Sequence, residues 1–209
     1  MQTAKRFFSL EGIDGSGKST QIDMLIERLT AESYSVVKLR EPGGAKISER
    51  VREILLDASF KGVMGDKTEL LLYNAARAQV IHEIIQPALD AGKVVIADRF
   101  AWSTFAYQGY ARGLGAGMVQ KLTELTCGSC FPELTVVLDL TVERSRARTA
   151  KRGEAPDRLE QEKADFFERV RQGYLAAARE YPECVAAIDA DRSPEEVFAD
   201  LYKLIKSKL

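Results

Sequence analysis

Gly12-Ile13-Asp14-Gly15-Ser16-Gly17-Lys18-Ser19-Thr20 follows a short apolar run at residues 6–10 and opens a stretch of helical spacing at 18–32. It matches GxxxxGKS/T in full, in the strand-before, helix-after setting that gives the pattern its meaning. Glycines let the backbone of residues 12 to 20 curl tightly, so that successive N–H groups turn inward as a cradle for phosphate oxygens. The helix behind the loop adds the positive end of its dipole. In that arrangement Lys18 reaches the β- and γ-phosphates of a nucleoside triphosphate, and the Ser19 hydroxyl ligates Mg²⁺. A glycine-rich turn without a ligand is the bland reading of the same residues, and the flanking strand and helix weigh against it.

Outward from this loop, short apolar, largely β-branched runs at 6–10, 35–39, 93–97, 134–138 and 185–188 read as strands buried on both faces. Between them lie helical patterns at 18–32, 47–56, 67–91, 118–126, 142–149, 162–181 and 193–208. Gly92 suits a helix end, and Ser193-Pro194-Glu195-Glu196 reads as a capping box with proline at the first helical position. This alternation predicts one α/β domain over 1–209, a five-stranded parallel sheet with helices on both faces, whose ligands bind beyond the carboxyl ends of the strands. Asp98-Arg99-Phe100 stands at such an end. There an aspartate holds Mg²⁺ through water, and an arginine beside it can clamp a second phosphate bidentately as the nucleophile. A structural Asp–Arg pair at a strand end is the competing reading.

The bulk properties fit a compact enzyme. The chain has 209 residues, 45% of them hydrophobic, enough for a sizeable core. Thirty basic residues against thirty-one acidic ones leave no bulk field for nucleic acid or a membrane surface. Neither an apolar leader nor a run of membrane-spanning length occurs, so a soluble cytoplasmic protein is expected. Three cysteines do not make a secreted disulfide framework. Cys127 and Cys130 form a CxxC pair that lacks the further ligands of a zinc site, and the pair reads as reduced thiols at a helix end. His82, in a helical pattern, reads as structural.

Several pieces in order carry a resemblance along nearly the whole chain: Glu11-Gly12 through Thr20, Arg40-Glu41-Pro42-Gly43-Gly44, Ala75-Ala76-Arg77, Asp98-Arg99-Phe100, Tyr107-Gln108-Gly109 and Asp157-Arg158-Leu159-Glu160. With them the chain resembles the thymidylate kinase (dTMP kinase) family, in its bacterial-type branch with a lid arginine. The resemblance implies a P-loop nucleoside monophosphate kinase fold, ATP as donor with Mg²⁺, dTMP as acceptor, and a homodimer. It further implies that Asp14 approaches the acceptor 3′-hydroxyl, that the Glu41 loop lies near sugar and metal, and that Arg52 reaches the acceptor phosphate. Tyr73 and Arg77 share a helix face, so the ring can stack on a pyrimidine while the arginine bonds its edge or phosphate; periodicity alone would make Tyr73 a core aromatic. Thr104 and Gln108 are implied to read the base; Tyr107 and its loop are expected to exclude a 2′-hydroxyl sterically. Ala45 replaces the family's usual threonine, Tyr73 its phenylalanine and Thr104 its serine.

The segment 144–158 carries Arg144, Arg146, Arg148, Lys151, Arg152 and Arg158 against two acids, with Gly153 and Pro156 breaking it. A basic segment of this kind suits a lid that shuts over the triphosphate and keeps water out. With Gly15 where some relatives place a catalytic arginine, the resemblance points to Arg152 as the catalytic lid residue, with Arg148 and Arg158 behind it, and to Arg144 and Arg192 beside the adenine. The predicted chemistry is in-line transfer from ATP to the dTMP phosphate, with Lys18, Arg99, Arg152 and Asp14 as catalytic groups. The rivals are a GTPase-type switch, which lacks its guanine element here because Asn74 is the only asparagine, a mechanical ATPase module, and a related P-loop kinase acting on another nucleoside monophosphate or on a deoxynucleoside.

Overall fold

The computed structural model describes residues 3–150 and 157–209, so the expected lid residues Lys151 and Arg152 lie outside the described residues. Five parallel strands stand in the order β2-β3-β1-β4-β5: β1 Thr3–Glu11, β2 Val36–Arg40, β3 Val94–Asp98, β4 Phe131–Asp139 and β5 Val185–Asp189. The expected parallel sheet is the one observed. Each strand runs one residue beyond its apolar stretch, ending on Glu11, Arg40, Asp98, Asp139 or Asp189, because ladder hydrogen bonds are indifferent to the side chain. Those charged ends form the edge of the sheet where ligands bind.

Alternate side chains of the central strands feed opposite layers. Phe8, Leu10 and Ile96 pack against Leu25 and Leu29 of α1 (Lys18–Ala31) and Leu201 and Ile205 of α9 (Pro194–Lys206). Phe7, Val95 and Ala97 face the other way, toward Val80, the last residue of α3 (Asp66–Val80), and Ala88 of α4 (Gln86–Asp90). Burial of this kind contributes roughly 25 cal/mol per Å² of apolar surface and is the main force holding the layers. The capping box at Ser193 is present, with both reciprocal bonds made. Two other helices matter here: α2 (Lys46–Leu56) and α6 (Ala116–Cys127).

The single helix expected over 67–91 is α3 and α4 joined by a π-helical turn at Ile81–Ile85. Pro87 has no N–H to give the carbonyl four residues back and its ring would press on it, which the wider turn ahead relieves. Exposed His82 sits on that turn. A helical segment was not expected after β3. It is α5 (Ala101–Thr104), continuing as a π turn through Phe105–Ala111. Its first N–H groups are satisfied from another element: Glu11 accepts from Phe100 N at 2.7 Å and Ser103 N at 3.2 Å. The π turn packs on α8 (Ala164–Glu180) where Gly173 allows it, since a Cβ there would stand 2.9 Å from Ala106 Cα. Cys127, Cys130 and Cys184 are buried free thiols, and burial raises them to about 12, about 11 and about 11, a state of low reactivity.

Candidate active site

Register brings the site together. Leu10 of β1 and Arg40 of β2 both stand opposite Asp98 of β3. Arg99 N donates to Leu10 O and Glu41 N to Asp98 O, each at 2.9 Å, so the phosphate loop, the Asp98-Arg99 turn and the Glu41 turn leave the sheet side by side. Gly12 turns the chain at φ 141°, and any Cβ there would meet Leu138 O and Ser16 Oγ at 2.7 Å, so only glycine fits. Lys18 is buried and donates to the carbonyls of Gly12 (3.0 Å) and Ile13 (3.3 Å). Burial, helped by the charge of Arg99, lowers its pKa to about 8 against the pull of Asp14, Asp98 and Glu11. Lys18, Ser19, Thr20, Asp98 and Arg99 line one cavity. The donors suit Mg²⁺, since Ser19 and Asp98 bring hard oxygens to this cavity.

Arg99 holds a left-handed backbone at φ 69°, uncommon for a residue with a side chain. The bonds from Arg99 N to Leu10 and from Phe100 N to Glu11 hold it there. Its guanidinium donates to Asp14 Oδ1 at 2.7 Å and Tyr174 Oη at 3.2 Å, and lies 5.4 Å from the Tyr107 ring centre. Fully buried Glu11 also accepts from Ser103 Oγ (2.5 Å) and Tyr174 Oη (3.0 Å), and burial pushes its pKa up.

A second cavity adjoins the first, and it is lined by every residue expected around the acceptor: Asp14, Glu41, Arg52, Tyr73, Arg77, Arg99, Thr104, Tyr107 and Gln108. Glu41 and Arg77 are both buried and pair at 2.9 Å. Burial moves Glu41 up to about 7, with Arg77 pulling the other way. The remaining Arg77 bonds run from Nη2 to Phe100 O (3.1 Å) and Thr104 Oγ1 (3.0 Å), which leaves Nη1 as a buried donor with no partner among the described residues. Gln108 donates its amide nitrogen to Glu69 at 2.7 Å. Sequence reasoning left out Ser103, Asp157, Leu159 and Glu160, which also line this cavity, and Glu11, Glu69 and Tyr174 behind it. For Asp157 and Glu160 the signal was their place in a quoted motif; for Glu69 it was the four-residue step to Tyr73 and Arg77; Tyr174 had none.

The basic segment divides. In α7 (Val142–Thr149), Ser145 Oγ donates to Asp14 O at 2.6 Å and Arg148 to Gly15 O at 3.2 Å, so this helix is docked on the phosphate loop. Arg144 and Arg148 meet at Asp191, at 2.9 and 3.4 Å. Arg192 does not join them; it pairs with Asp200 at 2.7 Å along α9. Arg158, a secondary candidate for the lid arginine, is buried, donating to Leu55 O and pairing with Glu69 at 2.6 Å. The carboxylate of Glu69 draws it inward, a partner that charge counting along the segment does not register.

The family model described as thymidylate kinase matches residues 10–201. A thymidylate kinase of Halothermothrix orenii is 48% identical over 209 aligned residues, covering 97% of each chain. One from Syntrophotalea carbinolica is 48% identical, covering 91% of this chain and 90% of its own. The crystal structure of thymidylate kinase from Ehrlichia chaffeensis superposes with a TM-score of 0.76 at 31% identity, covering 99% of both chains.

Proposed function

The chain belongs to the thymidylate kinase family, and from that premise we propose how its residues carry the transfer of the ATP γ-phosphoryl group to dTMP, giving dTDP and ADP. The observation that carries this assignment is the continuity of the two cavities, which share Asp14, Glu41, Arg52 and Arg99. Two anionic nucleotides laid in them meet at Arg99.

The donor triphosphate lies in the loop of residues 12 to 20, with the Lys18 ammonium on its β- and γ-phosphates. Ser19 and Asp98 would hold Mg²⁺, which would supply charge neutralisation for the transferring phosphoryl group. Arg99 clamps the dTMP phosphate in line, Arg52 joins it, and Asp14 and Glu41 face the sugar. Tyr73 gives the base a stacking surface, and the Tyr107 ring walls off the space of a 2′-hydroxyl. At the base edge, the Nη1 donor of Arg77 meets O4 and Gln108 receives N3–H, with the Thr104 hydroxyl beside them. No general base is needed, because the attacking phosphate oxygen is already an anion. Arg152 is the lid arginine assigned to the charge of the transferring group, while Arg144, Arg148 and Arg192 serve the ATP side.

We further infer a homodimer working in the cytoplasm. Supporting the first, α2, α3 and α6 pack side by side and carry exposed Ile47, Ile54, Leu71, Met118 and Leu125. Supporting the second, the described residues form no helix long and apolar enough to cross a membrane, and the three thiols are unpaired.

The test is ADP release with dTMP, dUMP, dCMP, dGMP and dAMP as acceptors, on the wild type and Arg99→Ala. Highest kcat/KM with dTMP is expected. In the variant, turnover falls ~10²- to 10³-fold while ATP still binds. Preference for another monophosphate, or ADP release without an acceptor, overturns the reading; near-normal turnover of Arg99→Ala overturns the role of Arg99.

A further inference from the structure

Glu69 lies on α3 one helical step before Tyr73 and two before Arg77, and is only 1% exposed. A buried charge is costly unless it is fully paired. Its Oε1 accepts from Gln108 Nε2 at 2.7 Å and Arg112 Nε at 3.2 Å; its Oε2 accepts from Arg112 Nη2 at 3.1 Å and Arg158 Nη1 at 2.6 Å. Burial works against its charge, but Arg112, Gln108 and Arg158 together hold its pKa below the ordinary carboxylate range, so it stays ionised.

An ionised carboxylate accepts hydrogen bonds and donates none. The side of the Gln108 amide that faces Glu69 must therefore be the NH₂. The amide oxygen then points away from Glu69, and no donor among the described residues bonds it. Gln108 lines the acceptor cavity, so it offers the cavity an acceptor. Arg77 lines the same cavity, and its partnerless Nη1 can only donate. A donor next to an acceptor complements the O4 and N3–H of thymine or uracil. Cytosine presents the reverse pair, an N4 amino group next to a bare N3. An unconstrained glutamine could turn its amide over to donate to the bare N3 of cytosine, which would leave only the Arg77 donor set against the N4 amino group.

We propose that Glu69 is a positioning residue that sets base specificity, locking the Gln108 amide so that the acceptor site takes a pyrimidine with a keto group at C4 and rejects one with an amino group. The proposal rests on the reading of this cavity as the dTMP site. A purely structural Glu69 would weaken all acceptors alike; a positioning Glu69 changes their order.

The experiment uses the full chain as wild type, Glu69→Gln, Glu69→Asp, Gln108→Leu and the Glu69→Gln/Gln108→Leu pair. With MgATP saturating, kcat/KM is measured for dTMP and dCMP, and dCMP affinity by competition with dTMP. In Glu69→Gln the dTMP-over-dCMP preference falls at least tenfold, through the KM values for the monophosphates, with the KM for ATP unchanged. The pair shows no less preference than Gln108→Leu alone, because both changes act through one amide. Glu69→Asp covers the case in which Glu69→Gln does not fold: it keeps a charge for Arg112 and Arg158 but draws the oxygens back from Gln108 by about 1.5 Å, one C–C bond. It too lowers the preference. The proposal is overturned if dTMP and dCMP fall together, or if the losses in the pair add. A wild type that fails to prefer dTMP over dCMP would sink the acceptor-site reading instead, separately from Glu69.

Discussion

Lys18 is proposed to meet phosphate from inside a buried loop, and that burial shifts its chemistry. With its pKa lowered to about 8 from the usual 10.5, the working ammonium is lost on the alkaline side well before an ordinary lysine would be. Tyr73, Tyr107 and Tyr174 are pushed upward by burial, so none of them titrates first. We expect kcat/KM for ATP to be full below pH ~8 and to fall by one proton's slope above it. The anionic triphosphate restores the ammonium, which puts the limb in kcat at higher pH. Flat kcat/KM to pH ~9.5 would contradict the burial of this lysine. Residues such as Lys18 and Ser19 can be read from the chain because their partners are a few positions away in one loop. The partners of Glu11, Glu69 and Tyr174 cannot, because they are distant: Tyr174 meets Glu11 across 163 positions.

The segment after β3 shows what governs an element. Its residues carry no cap and no clear period, and it becomes helical because Glu11 takes its first N–H groups and α8 offers a flat place at Gly173. The segment bears Thr104, Tyr107 and Gln108, so its seating sets one wall of the acceptor cavity. Gly173→Ala would force its Cβ against Ala106 Cα and Tyr110. Overpacking of this kind costs about 1–3 kcal/mol. A lower urea midpoint and a KM for dTMP raised more than that for ATP are expected; an unchanged midpoint would mean that the two helices separate freely. Boundaries also moved at the level of elements. The π turn before Pro87 interrupts what periodicity presents as one helix, since spacing records which face is apolar and not how the backbone bonds.

For the whole molecule the open quantity is assembly. Leu71 is 57% exposed in the middle of α3, between α2 and α6. If these helices form the dimer, Leu71→Glu shifts sedimentation toward a 23.2 kDa monomer without lowering the thermal midpoint of the fold; an unchanged oligomer would move the interface elsewhere. By itself the sequence determined the strand–loop–helix at residues 12 to 20, the parallel sheet and the set of side chains that line the second cavity, because each rests on local backbone geometry or on motifs in fixed order. Only the tertiary structure decided that, of the basic residues around this segment, Arg158 is drawn inward by a buried acid while Arg144 and Arg148 meet at Asp191. It also decided the pairing of Gln108 with Glu69, 39 positions apart. The reason is that burial, and with it the strength and direction of a charge or hydrogen bond, is a property of neighbours in space, which the order of residues does not contain.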